Sequence, residues 1–123
     1  MKYETIKPMN SKEEVSRILK EANSTRKKID VLLGAIEGID DQEWLQSLCL
    51  KYIDVDDIRV AHAAIQGCGY IARIFRKLDT ELIIEKLSAV VQKHPELSCV
   101  VNDALDDMEM FMKIKIDRSF INK

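Results

Sequence analysis

Apolar residues recur at helical spacing from Val15 to Phe111, and little in the chain can interrupt them. With four glycines and two prolines in 123 residues, the sequence lacks the breakers that a series of hairpin turns requires. The 3.6-residue period is therefore the strongest constraint on the fold. Ser11-Lys12-Glu13-Glu14 reads as a capping box ahead of Val15, Ile18, Leu19 and Ala22. Ser24 can cap a second helix bearing Ile29, Leu32, Leu33 and Ile36, with Gly38 as its stop. Asp40-Asp41-Gln42-Glu43 opens a third helix with Trp44, Leu45, Leu48 and Cys49, and the acidic connector Asp54-Val55-Asp56-Asp57 follows it. The fourth and most apolar helix runs from Ile58 to about Arg76. Asp79 caps a fifth with Leu82, Ile83, Leu87, Val90 and Val91. Pro95 suits the first turn of a sixth, whose stripe runs from Leu97 to Phe111. Only Ile114-Lys115-Ile116-Asp117 alternates, too briefly to distinguish a strand from an extended tail.

These elements come in pairs. The second member of each pair carries Leu33-Gly34-Ala35, Gln66-Gly67-Cys68 or Asp103-Ala104-Leu105, and aligning Gly34, Gly67 and Ala104 gives steps of 33 and 37 residues. Both steps lie near the period of helical-hairpin arrays. Ala61, Ala64, Gly67 and Cys68 would let the fourth helix press closely on its neighbours. The expected architecture is one all-α domain over 1–123: three stacked antiparallel hairpins at roughly 11–38, 40–77 and 79–112, with a short extended tail at 113–123.

The bulk features narrow the function. Nineteen basic against 21 acidic residues give a net charge of -2, and aromatics are 6%, so a generic nucleic-acid binder is disfavoured. The start, Met1-Lys2-Tyr3-Glu4, carries no apolar signal segment, and no run can span a bilayer; a cytoplasmic protein with no membrane partner is expected. Cys49, Cys68 and Cys99 match no zinc or redox spacing and read as small core groups. His62, on the polar side of the fourth helix, and His94, beside Pro95, have no sequence-local nucleophile or carboxylate in a recognised arrangement. Gly34, Gly38, Gly67 and Gly69 do not form a phosphate loop. No catalytic residue, metal ligand or cofactor is expected, and the protein reads as a non-enzyme.

The charges are unevenly distributed. Residues 1–28 hold eight basic and four acidic groups, a balance of +4, whereas 29–60 hold two and eight, a balance of -6. Helix caps account for part of that acidity. Arg26-Lys27-Lys28 is a short basic run, either a solvated face or a phosphate contact. On the last helix Asp103, Asp106, Asp107 and Glu109 crowd into seven positions. Three readings are open for them: a solvated face or pairing with arginines of the preceding hairpin, a surface for a basic partner, or a divalent-cation site. Arg59, Gln66, Tyr70, Arg73 and Arg76 share one sector of the fourth helix, so its arginines could face Asp103 and Asp107. Arg59 could instead reach an acidic turn residue, and structural pairing is its favoured role.

Trp44-Leu45-Gln46, Cys49-Leu50, the acidic turn, the stretch from Gly67 to Arg73 and the closing Val101-Asn102-Asp103-Ala104-Leu105-Asp106-Asp107-Met108-Glu109 together resemble small bacterial HEAT-like proteins. The middle pair carries most of the likeness, with its acidic turn followed by the apolar-Arg step Ile58-Arg59 and then by small residues. Members of such groups occur as immunity proteins of contact-dependent growth inhibition and related polymorphic toxin systems. The resemblance spans roughly residues 42–112. It implies a HEAT-like α-solenoid that neutralises a cognate toxin C-terminal domain, a basic protein and commonly a nuclease, by direct binding through an acidic surface. On that reading Asp103, Asp106, Asp107 and Glu109 form the first binding patch, Asp54, Asp56 and Asp57 the second, and Tyr70 is the aromatic anchor. Trp44 fits the core better than an interface. The protein would be a monomer or a weak dimer. The alternative is a general HEAT-like adaptor that presents a helical groove to a peptide or enzyme. A HEAT-like enzyme acting on DNA has only the stripe Arg59, Arg73 and Arg76 in its favour.

Overall fold

Residues 7–121 are described in the computed structural model, and every regular element among them is helical: α1 (Lys12–Glu21), α2 (Thr25–Gly38), α3 (Gln42–Ile53), α4 (Ile58–Phe75), α5 (Thr80–Lys93) and α6 (Ser98–Met112). The chain start and residues 122 and 123 of the expected tail lie outside the described ones. Four of the expected elements begin where a short polar side chain meets an unpaired amide. Ser11 accepts from the Glu14 N–H, Ser24 from Lys27, Asp57 from Arg59 and Asp79 from Leu82. At α3 the cap is Asp41 rather than Asp40, because Asp41 accepts from the Trp44 N–H three residues on, at 3.1 Å. Pro95 opens a separate 3-10 turn, Pro95–Leu97, and α6 proper starts at Ser98.

Helix α4 is the hub. It packs against α2, α3 and α6, while α3 also meets α5 and α1 meets α2. The arrangement is compatible with three helical hairpins packed on one another. Among those hairpins α3/α4 is the most intimate and α5/α6 the most open. The small residues of α4 explain the difference. Ala61, Ala63, Ala64, Gly67, Cys68 and Gly69 are all buried, and a Cβ at Gly67 would lie 2.8 Å from both Cys49 Sγ and Ile36 Cδ1. A larger residue there would have to displace the Cys49 and Ile36 side chains of α3 and α2. The core continues outward through Leu32, Leu45, Ile53, Ile65, Ile71, Ile83, Leu87, Leu105 and Met108, all fully buried.

Two details depart from expectation. Cys49 and Cys68 are buried, but Cys99 is exposed: it precedes the inward-facing pair Val100 and Val101 in the first turn of α6 and points away from the core. The Cys49 thiol is pushed well up by its hydrogen bond with Cys68 and by burial, so it stays protonated. Gly38 does end α2, yet no glycine has positive φ, and the cap residue Ile39 is extended. What Gly38 supplies is room. Any Cβ there would collide with the Met9 backbone, and one at Gly34 would collide with Lys7 O, while the Met9 N–H donates to Gly34 O at 2.9 Å. The segment before α1 thus lies across a track of two glycines one turn apart.

Candidate functional site

The place of Asp107 on α6 depends on Gly69 of α4. A Cβ at that position would stand 2.8 Å from Asp107 Oδ2 and 3.3 Å from Ala104 Cα, so α4 and α6 approach here more closely than side chains would permit. Beside this contact runs a groove of about 340 Å³. Val100 and Ala104 lie at its base; Gln66, Tyr70 and Arg73 of α4 form one wall, and Asp103, Asp106 and Asp107 of α6 the other.

On the α4 wall, Arg73 links several groups. Its Nη2 donates to Asp107 Oδ1 at 3.2 Å and to Oδ2 at 3.3 Å. Its guanidinium also lies 5.6 Å from the centre of the Tyr70 ring and 5.7 Å from that of Phe111, which Arg76 approaches at 5.7 Å as well. Tyr70, Arg73, Phe111 and Arg76 therefore form a chain of cation–π contacts that orients the half-buried Tyr70 along the rim. The pairing of an α4 arginine with α6 holds for Arg73 and Asp107. Asp103 is different: it is exposed, and among the described residues it makes no ion pair or side-chain hydrogen bond.

Asp106 and Glu109 are engaged by the segment expected as a short extended tail. Residues 113–121 form no regular element, and Ile116 within them is buried against the core. Arg118 Nη2 lies 2.8 Å from Asp106 Oδ1 and 2.6 Å from Glu109 Oε1, and Nη1 donates to Asn102 Oδ1 at 3.2 Å. The Ile116 N–H donates to the other Glu109 oxygen at 2.9 Å. That N–H, and then Arg118, hold the Glu109 carboxyl below its ordinary value of 4.5. Partial burial works against the Arg118 charge, but its bonds to Asp106 and Glu109 outweigh this and raise its pKa.

The second patch is built differently. Asp57 caps α4, accepts from Thr25 Oγ1 at 2.5 Å and lies 3.4 Å from Arg59 Nε. Its carboxyl is lowered chiefly by the Thr25 bond. Arg59 also donates to Thr25 at 3.2 Å, the structural pairing expected of it. Asp54 pairs with Lys86 of α5 at 2.5 Å. Asp56 is exposed and has no partner among the described residues. None of these three lines the groove. The site thus brings together Tyr70, Asp103, Asp106 and Asp107, leaves Asp54, Asp56 and Asp57 elsewhere, and places Glu109 behind the tail. Sequence reasoning missed Arg118; its only signal was a lone cation two residues beyond the Ile114-Lys115-Ile116 alternation.

Other recesses lie among the described residues. One, of about 380 Å³, is lined by Ile29, Ile58, Leu97, His62, Arg59 and Glu96. Another, of about 360 Å³, lies at the end of α2 beside the exposed Ile74. Among the described residues no group of three histidine, cysteine or acidic side chains is arranged to hold a metal ion. No described helix is long and apolar enough to cross a membrane. Trp44 is half-buried under Lys12, whose Nζ lies 5.8 Å from its ring centre.

The chain matches no protein-family model, and no curated protein or solved structure is significantly similar to it.

Proposed function

We propose that this protein is a non-enzymatic binding module, an immunity protein that neutralises a bacterial toxin by docking the toxin's basic surface on the α4–α6 groove. One observation carries the reading: an exposed, unpaired carboxylate, Asp103, beside a half-buried tyrosine whose ring is held by Arg73, over an apolar base. An aromatic anchor with a free charge next to it is the composition of an interface centre. A cleft that binds phosphate presents lysine and arginine to such a surface, and opposite charge accelerates the encounter. The acidic balance of the chain, -2, is small, so the attraction is local to this face rather than a property of the whole molecule.

The reading requires a toxin domain encoded in a neighbouring gene, and the test is co-expression with that domain. Wild type should restore growth, and Asp103→Lys and Tyr70→Ala should each abolish protection while retaining full helix content by circular dichroism. Protection undiminished in both variants would remove the groove from the interface. A second reading, a general adaptor, draws on the apolar recess at Ile29, Ile58 and Leu97. It predicts instead that Ile58→Asp, and not Asp103→Lys, abolishes partner capture.

A further inference from the structure

Residues 113–121 leave α6 through Lys113, whose φ of 57° turns the chain back, and then lie along the helix they have just left. They are held there by few contacts. The bonds within the segment are local: Ser119 N–H to Asp117 Oδ1 and Ile121 N–H to Arg118 O, both 3.0 Å. Its polar contacts with the rest of the described chain all end on Asn102, Asp106 and Glu109. Those three positions are spaced by four and by three, so they form one stripe of α6. Below the polar contacts Ile116 is buried, with Ile114, Phe120 and Ile121 partly so. There is no helical or strand ladder to unzip. Removing the arginine fork and the one buried isoleucine would take away its strongest holds and leave the partly buried Ile114, Phe120 and Ile121.

We propose that residues 113–121 act as a strap that fills the outer face of α6 with the chain's own guanidinium and must lift before a basic partner that lands on the exposed Asp106 can also engage Glu109 and Asn102. The link to a partner rests on the function proposed above; the strap itself does not. Asp106 belongs to both sites, because it lines the groove and accepts from Arg118. A cation arriving on Asp106 competes with Arg118, which leaves Glu109 and Asn102 open to the incoming chain. The tether gives the strap an effective concentration of order millimolar, enough to exclude weak basic ligands and not a tight one. The strap would therefore sharpen selectivity for the proper partner.

The experiment uses the full chain and, as probe, a fluorescein-labelled peptide with the sequence of residues 113–121. Its binding is read by anisotropy. A variant carrying Ile116→Ser and Arg118→Ala should bind the peptide about tenfold more tightly than wild type, because its own strap no longer competes. Adding Asp106→Asn and Glu109→Gln should erase that gain. Equal binding by wild type and variant, or a gain that survives loss of both acids, overturns the strap. A second measurement does not depend on the double variant: in Arg118→Ala alone, exchange of the Ile116 amide should accelerate about tenfold while amides of α4 are unchanged. Unchanged exchange at Ile116 would equally overturn it. Failure to rescue cells from a toxin, with these two results intact, would instead count against the immunity reading alone.

Discussion

The turn at 54–57 and the last helix carry similar acid, three carboxylates in four positions against four in seven, yet they use it in different ways. In the turn, Asp57 is consumed by the start of α4 and by Thr25, and Asp54 by Lys86, so the charge ties α2, α4 and α5 together. Among the described residues, the α6 acid that bridges to another helix is Asp107, through Arg73; Asp106 and Glu109 hold the tail, and Asp103 has no such partner. Acid density is thus a poor guide to a binding face. Position decides: a carboxylate at a helix N-terminus finds unpaired amides within reach, whereas one in the middle of a helix finds none and must look to another element or to solvent.

The contrast can be broken most directly at Asp57. Asp57→Ala removes a helix cap and an inter-helix bond together and should lower Tm by about 5 °C, whereas Asp56→Ala, one residue away, should leave it within about 1 °C. Equal losses would mean that the turn acids act as a diffuse field rather than through these bonds. The next largest effect is on the tail. Glu109 is held below its ordinary 4.5 by the Ile116 N–H and Arg118, so its contribution is whole above 4.5 and fades as pH falls through the lowered folded value. The Ile116 amide resonance should therefore be steady from neutral pH down to 4.5 and move only below it, and Glu109→Gln should abolish that transition. Asp57, lowered from its ordinary 3.8, should keep its contribution down to that pH and lose it only below, and Asp57→Ala should flatten the acid limb of Tm against pH. A weaker effect is expected at Asp54. Its pair with Lys86 is largely exposed, so Asp54→Ala should cost about 2 °C or less in dilute buffer, and the difference should shrink in 1 M salt.

Much of the fold was legible because each signal was local. Ser11, Ser24, Asp57 and Asp79 cap the helices whose apolar stripes follow them, and the small residues of the fourth helix do mark its closest contacts. What could not be read were contacts between segments far apart in sequence. The clash that a Cβ at Gly38 would meet comes from Met9, and the environment of Glu109 comes from Arg118 across a turn at a left-handed lysine. Cys99 shows the same limit on a smaller scale, since a stripe drawn across Leu97, Val100 and Val101 does not say which way their neighbour points. The site was half legible for the same reason. Tyr70, Arg73 and Asp107 share helix positions that periodicity can place, but periodicity cannot tell a free carboxylate from one already bonded.

Asp103 is where the contrast is sharpest and the effect on stability smallest. It stands three and four residues before Asp106 and Asp107, and like charges at that spacing repel. Asp103→Lys replaces that repulsion by attraction while breaking no bond, so Tm should stay level or rise by about 2 °C, with the rise fading as salt is added. The sign is opposite to that expected for every paired acid in the turn. A residue whose reversal stabilises the fold is not retained for the fold's sake. Should Asp103→Lys instead lower Tm as Asp57→Ala does, Asp103 would belong with the structural acids, and the groove would lose the free charge on which the proposed function rests.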